Sequence, residues 1–433
     1  MHLYSIFLKY LLICTDSRNC PAGSIFFALK GDNFNANAFA LSALQKGCAY
    51  AVVDEAEYAI DERFILVDNV LKSLQQLAEY HRRQLGTTII GITGTNGKTT
   101  TKELIASVLS EKFNILFTQG NLNNHIGVPL TLLQLKPEHE LAVIEMGANH
   151  QGDIKELAEI TCPDYGIITN VGKAHLEGFG SFEGVMKTKA ELYDYIQQFG
   201  KNIFLNVGNS HLVEMARNSL VSKKMNPVKY SLNADSKNVS VKGKITECSP
   251  FLEMECRTNK ETFSIKTKLI GSYNAENVLA AVTIGHFFGM TDEQITAGLG
   301  KYTPTNNRSQ FTVTERNKLV VDAYNANPTS MRAAILNFAQ MNVPAKTLIL
   351  GDMLELGEYS DNEHQIIVDL LQQNEFSTVL LVGKDFLKTR NNYNCFKKVE
   401  DLVEWIDSHP IESQMVLIKG SRGIKLEKVL SKL

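Results

Sequence analysis

The sequence predicts an α/β protein of three domains, and three observations carry that prediction. Apolar, β-branched runs alternate with stretches of helical periodicity, the pattern of parallel strands with helices packed between them. One strand-to-helix junction is glycine-rich and closes on Lys98-Thr99-Thr100, which puts a phosphate-binding turn in the second of three blocks. The alternation begins again near Asn306, so the third block reads as a second βαβ array of Rossmann type. A length of 433 residues agrees with this count, at roughly 150 residues per domain. The expected division is 1–84, 85–305 and 306–433.

The first block opens on an apolar stretch, residues 3–14, interrupted by Lys9. No basic segment precedes it, and Ile13 is too large for the small-residue site of a lipoprotein leader, so a short first helix is expected. A turn-rich stretch, 15–23, leads to strands expected at 24–29 and 49–53, and a helix at 71–85 leads out. The second block starts with a strand at 88–92. The glycine-rich turn, residues 93–100, follows, and then a helix with Leu104, Ile105, Val108 and Leu109 on one face. Apolar runs at 141–144 and 166–168 end in Glu145 and in Thr169-Asn170, and a helix is expected at 182–196. From about 228 to 269 the pattern changes to short, polar-interrupted strands, read as a small antiparallel meander. A helix at 274–288 comes next, with Gly289 placed to cap it. In the third block, 319–321, 347–350, 379–382 and 415–418 read as short buried strands separated by helices.

Composition excludes several classes. Lys plus Arg is 44 and Asp plus Glu is 47, a net charge of −3, which argues against nucleic-acid binding by bulk charge. No apolar run approaches the roughly 20 residues of a membrane span, so no stable membrane insertion is expected. The seven cysteines are scattered and form no CxxC pair, which fits a reducing cytoplasm better than a disulfide framework or zinc site.

Residues 93–100 carry the strongest local signal. Gly94 and Gly97 let the backbone curl, so that N–H groups from Gly94, Thr95, Asn96, Gly97 and the helix start face phosphate oxygens. Lys98 supplies a point charge, Thr99 a hydroxyl for Mg²⁺, and Thr100 closes the motif. The strict G-x-x-x-x-G-K-[ST] pattern fails, because Ile92 stands where its first glycine belongs. Glu145 ends a buried strand at the level where such a sheet presents its ligand crevice, and a carboxylate there can hold Mg²⁺ against a nucleotide. Alone, His175 reads as a structural histidine, and Lys187 and Lys189 read as a solvated helix face.

Taken in order, the motifs resemble the Mur ligase family over nearly the whole chain. The marks are Thr15-Asp16-Ser17-Arg18, the turn at 94–100, Asn121-Leu122-Asn123-Asn124-His125, and Glu145-Met146-Gly147-Ala148-Asn149-His150. Ala174-His175-Leu176-Glu177-Gly178 and Gly271-Ser272-Tyr273-Asn274-Ala275-Glu276-Asn277 follow. The last are Asp322-Ala323-Tyr324-Asn325-Ala326-Asn327-Pro328, Gly351-Asp352-Met353-Leu354-Glu355-Leu356-Gly357 and Lys419-Gly420-Ser421-Arg422-Gly423.

The resemblance implies a small α/β domain for a UDP-sugar, a central phosphate-loop ATPase domain with a mostly parallel sheet, and a Rossmann-like domain that closes over the site. It implies that ATP phosphorylates the carboxylate of a UDP-N-acetylmuramoyl peptide and that an incoming amine then attacks the acyl phosphate. The run Ala323-Tyr324-Asn325-Ala326-Asn327 resembles the branch that adds D-Ala-D-Ala to UDP-MurNAc-tripeptide; a sister ligase adding a single amino acid is the alternative. Two Mg²⁺ ions are implied, with Thr99, Glu145, His175 and Lys189 as ligands, Lys189 after carbamylation. Lys98, His175 and Lys189 become the catalytic set. Asn274, Asn277, Arg308 and Asp322 match nucleotide positions; Ser17, Arg18, Asn123 and Asn325 match substrate positions. Asn274 and Asn277, three apart, share a helix face, or else cap a helix start. A cytoplasmic monomer is implied. The chain departs from the family where Phe34 is followed by Asn35-Ala36-Asn37, which touches the UDP side, and the role of Lys419 is left open.

Overall fold

The computed structural model describes residues 2–220, 225–258, 261–305 and 307–433. Asn306, where the third block is expected to start, lies outside the described residues. Among the described residues the chain forms sheets of four, nine and six strands and one two-stranded ribbon.

The first sheet is parallel throughout, in the order Ile13–Cys14, Ile25–Phe27, Tyr50–Val53, Phe64–Leu66. Ile25, Phe26 and Phe27 are all fully buried, so the sheet is covered on both faces, as parallel sheets must be. The first helix, His2–Tyr10, is shorter than the apolar run suggests. Leu11 turns left-handed at φ 56°, and Ile13–Cys14 becomes an edge strand. The helix Val70–Leu85 starts at Asn69, whose side chain accepts from Lys72 N, and stops at left-handed Gly86. Its buried Leu74, Leu77 and Ala78 join one apolar cluster with Phe7 and Ile25 on one side and Leu132, Ile144 and Leu157 on the other. Arg82 fastens it to Asp164 at 2.9 Å. The first and second sheets are thereby packed into a common core.

In the second sheet, Thr88–Thr93 lies between Leu141–Glu145 and Tyr165–Ile168, parallel to both. The expected meander needs correction. Val228–Ser231 runs parallel to both Asn202–Asn206 and Val241–Cys248. The hairpins of Val241–Cys248, Phe251–Thr258 and Thr262–Ile270 are antiparallel, but their strands have 8, 8 and 9 residues and extend the same sheet. What looked like polar interruption is period-two alternation: Leu252, Met254 and Cys256 face the core while their neighbours face out. The helix Ala275–Phe287 covers this region, preceded by a 3-10 turn at Ser272–Asn274 and followed by left-handed Gly289.

The third sheet contains the four expected strands, as Lys318–Asp322, Lys346–Gly351, Thr378–Val382 and Met415–Lys419, all parallel. Two edge strands add to it: Gln310–Val313, antiparallel, and Asn394–Phe396. Neither has a fully buried residue, which is why no apolar run marks them.

Candidate active site

The glycine-rich turn sits at the carboxyl end of Thr88–Thr93, and helix Lys98–Leu109 starts directly after it. Gly94 has φ 144°, and a Cβ there would lie 2.0 Å from Thr169 Oγ1. Gly97 has φ 75°, and a Cβ there would meet Asn277 Oδ1 at 2.6 Å. Both positions therefore need glycine for backbone and for space. Ile92 is fully buried within the strand, so the turn is made without a glycine there. The end of the neighbouring strand braces the loop. Thr95 N donates to Asn170 O at 3.0 Å, Asn96 N to Asn170 Oδ1 at 2.9 Å, and Thr169 Oγ1 to Asn96 O at 2.7 Å. The Lys98 ammonium donates to Gly94 O and Thr95 O at 2.8 and 3.1 Å. Burial lowers its pKa, Glu145 opposes that shift and Arg308 adds to it, so Lys98 feels both charges.

Register puts Glu145 opposite Ile92, one residue before Thr93 on the adjacent strand. Its side chain is 1% exposed. Oε1 accepts from Thr99 Oγ1 at 3.2 Å and Asn123 Nδ2 at 2.8 Å, while Oε2 is buried with no hydrogen-bond partner. A buried carboxylate oxygen without a partner is costly unless a cation meets it. The donor set, a carboxylate with a neighbouring hydroxyl, consists of the hard oxygen ligands that Mg²⁺ takes. These residues therefore fit the ion expected there.

His175 opens the short helix Leu176–Phe179 with a left-handed backbone, φ 50°. Its Nδ1 lies 2.6 Å from Glu355 Oε2, on the third sheet's side. The bond to His175 holds the Glu355 carboxyl below its ordinary range. Lys189 is 2% exposed, so it lies on the buried face of helix Phe182–Phe199 and not on the solvated face read from its charge. Its Nζ lies 5.2 Å from the Phe179 ring centroid. Burial chiefly, and then Lys98, lower its pKa to about 7, against the pull of Asp153 and Glu191. Among the described residues no three His, Cys, Asp or Glu side chains converge as a metal cluster. The expected ligand set has only two such residues, Glu145 and His175, beside a hydroxyl and a lysine.

The two asparagines of the 3-10 turn and its helix brace the loop. Asn277 Nδ2 donates to Asn274 Oδ1 at 2.9 Å, Asn274 Nδ2 to Ile270 O at 2.8 Å, and Thr101 Oγ1 to Asn277 Oδ1 at 3.0 Å. Asp322 ends its strand opposite Lys419 in register, and the two form an ion pair at 2.6 Å with Lys419 2% exposed. The carboxylate that meets Lys419 is thus Asp322, a residue expected at the nucleotide. Ser309 N reaches the other Asp322 oxygen at 3.2 Å. The Arg308 guanidinium stacks 3.6 Å over Tyr324. Asn325 is exposed and closes on its own turn through Ala326 N. Ser17 and Arg18 stand at the edge of the first sheet. Arg18 pairs with Asp16 at 2.8 Å, and Lys46 donates to Ser17 O. Asn35 and Asn37 bind Glu55 and Asp54, the carboxylates that also hold Lys30.

Side-chain links join the region around the glycine-rich turn to the third block. Besides His175–Glu355, Lys173 pairs with Glu363 at 2.7 Å, and Asn327 Nδ2 donates to Asn96 Oδ1 at 2.7 Å. Sequence reasoning assigned roles to neither Asn327 nor Glu355. Asn-Pro at 327–328 is a helix-start signal, but nothing in the pattern says which loop the asparagine meets.

Family models match here in two stretches, a Mur ligase middle domain at residues 92–285 and a Mur ligase glutamate ligase domain at 307–422. The UDP-N-acetylmuramoyl-tripeptide–D-alanyl-D-alanine ligase of Escherichia coli (strain K12) is 34% identical over 425 residues, covering 96% of this chain and 92% of that protein. The enzyme of the same name from Bacillus subtilis (strain 168) is 32% identical over 436 residues, covering 97% and 92%. The crystal structure of MurF from Acinetobacter baumannii is similar at a TM-score of 0.85 and 32% identity, covering 97% of this chain and 92% of that one.

Proposed function

The chain belongs to the Mur ligase family, and from that premise we propose that it joins D-Ala-D-Ala to UDP-MurNAc-tripeptide at the expense of ATP. The observation that carries the reading is the buried carboxylate of Glu145, bonded to the phosphate-loop hydroxyl of Thr99 and left with one unpartnered oxygen. In this reading residues 1–84 hold the UDP-sugar, 85–305 hold ATP, and 306–433 bring the amine. The protein works as a cytoplasmic monomer.

The chemistry must bring a carboxylate and a phosphate, both anions, together. Lys98 and the N–H groups of the loop and helix start hold the phosphates of ATP. Thr99 and Glu145 would hold a Mg²⁺ ion beside the nucleotide, and His175 with a modified Lys189 would hold a second. Bound there, Mg²⁺ supplies the positive charge that lets the anions approach and stabilises the transferring phosphoryl. The substrate carboxylate attacks the γ-phosphorus, forming an acyl phosphate and releasing ADP. The dipeptide amine attacks the acyl carbon, and the tetrahedral adduct loses phosphate and a proton to give the amide. A cationic Lys189 would repel Mg²⁺. Its lowered pKa leaves much of the amine neutral at neutral pH, so it can add to CO₂, losing a proton and becoming an anionic carbamate. Asn274, Asn277, Arg308 and Asp322 serve the nucleotide; Ser17, Arg18, Asn123 and Asn325 serve the substrates.

Phosphate release with Mg-ATP and UDP-MurNAc-tripeptide tests the reading, with D-Ala-D-Ala and single amino acids offered in parallel. Release with D-Ala-D-Ala and a product of the expected mass is the expected result. Release with a single amino acid alone would move the chain to a sister ligase.

A further inference from the structure

Asn96 and Asn327 are far apart in sequence, yet their amides form a two-way bond across the two sheets. Asn327 Nδ2 donates to Asn96 Oδ1 at 2.7 Å, and Asn96 Nδ2 approaches Asn327 Oδ1 at 3.5 Å. Each end is fixed by its own element. Asn96 is the tip of the phosphate loop, its backbone held by Thr169 and Asn170. Asn327 is 7% exposed and caps helix Pro328–Gln340, with Oδ1 accepting from Ser330 N at 2.9 Å and Ser330 Oγ answering to Asn327 N. The same two surfaces touch again nearby. A Cβ on Gly172 would lie 2.9 Å from Thr329 Oγ1, in the first turn of that helix, and Gly172 N donates to Thr95 Oγ1 in the loop.

We propose that Asn327 is a positioning residue that couples nucleotide in the phosphate loop to the seating of the third sheet through Asn96. The inference rests on the nucleotide-site reading above. The cap makes the helix start rigid, so an amide held at Asn96 fixes the whole segment from Asp322 to Asn327. A loop ordered by nucleotide presents Asn96 in one orientation and favours the seated arrangement. By linkage, the seated arrangement favours nucleotide by the same factor.

Asn327→Ser separates the two duties of the residue. Serine is a good helix cap but is too short to reach Asn96. Asn96→Ala removes the partner and leaves the cap alone. Calorimetry with Mg-ADP reads nucleotide affinity without relying on ligase activity, and steady-state kinetics adds kcat and the KM for ATP. Each single variant is expected to bind ADP about fivefold more weakly, the size of one net hydrogen bond, with the double variant no weaker than the weaker single. Small-angle scattering with ADP bound is expected to show a larger radius for all three variants than for the wild type. Additive losses would overturn the coupling. So would an unaltered Asn327→Ser beside a weakened Asn96→Ala, which would make Asn96 a direct nucleotide contact. A wild type that binds no ADP would overturn the nucleotide site itself, a result distinct from uncoupled variants of a protein that binds.

Discussion

His175 and Glu355 meet side chain to side chain at 2.6 Å, and both have left-handed backbones, with φ 50° and 65°. Non-glycine residues are held in that region only where the surroundings determine it. The meeting of two such residues, from connecting segments that follow strands of different sheets, marks the bond as built. Imidazole Nδ1–H donated to the carboxylate leaves Nε2 as the lone pair, the arrangement that carboxylate–histidine pairs use to aim a metal ligand. Glu355→Ala should therefore weaken Mn²⁺ binding to the ADP complex by about tenfold, read by electron paramagnetic resonance. ADP binding in the presence of chelator should stay as it was. Unchanged Mn²⁺ affinity would reduce the pair to a docking contact.

Glu145 sets stability against function. A buried carboxylate oxygen with no partner costs the metal-free protein free energy that a bound Mg²⁺ would return. Glu145→Gln keeps an acceptor for Thr99 and Asn123 and removes the charge. In chelator the variant should melt above the wild type, and added Mg-ADP should stabilise it less. Turnover should fall by roughly two orders of magnitude. Wild-type turnover in that variant would remove Glu145 from the metal site.

Lys189 carries a pH signature with a definite sign. Its pKa falls from 10.5 in the unfolded chain to about 7 in the fold, chiefly through burial. Between those values the unfolded chain binds the extra proton, so this group adds stability as pH rises through the window. Below about pH 7 both states are protonated, and its penalty is fully present. The amine that reacts with CO₂ is the neutral one. Activity should drop below pH 7 and respond there to added bicarbonate. Lys189→Ala should lose turnover yet bind ATP, and a short carboxylic acid should restore part of the rate. Full activity without rescue would exclude Lys189 from catalysis.

The glycine-rich turn and the buried strand end at Glu145 were legible because local chemistry marks them: glycines before a lysine, and a carboxylate at the end of an apolar strand. Lys189 was singled out only through family likeness, since on periodicity alone it belongs to a charged face, and its burial was not legible there. The antiparallel hairpins of the meander were legible, but their length was misjudged because a strand covered on one side alternates, and alternation resembles interruption. Asn327, Glu355 and the Asp322–Lys419 pair depend on which strand ends become neighbours in space. That follows from sheet order and register, which no local pattern encodes.

Asp322 is one such strand end with two neighbours to serve. It is expected at the nucleotide, yet its carboxylate already holds Lys419 at 2.6 Å and Ser309 N at 3.2 Å. Removing it leaves a lysine that is 2% exposed without its counter-ion. Breaking such a pair costs about 3 kcal/mol or more, while replacing both members with apolar groups can be nearly neutral. Asp322→Ala should therefore lose activity and stability together, and the activity loss alone proves no nucleotide contact. The double variant Asp322→Ala with Lys419→Met separates the two effects. Its denaturant midpoint should return close to that of the wild type. If ATP affinity stays low in that refortified protein, Asp322 contacts nucleotide; if ATP affinity returns, the residue acted only by neutralising Lys419.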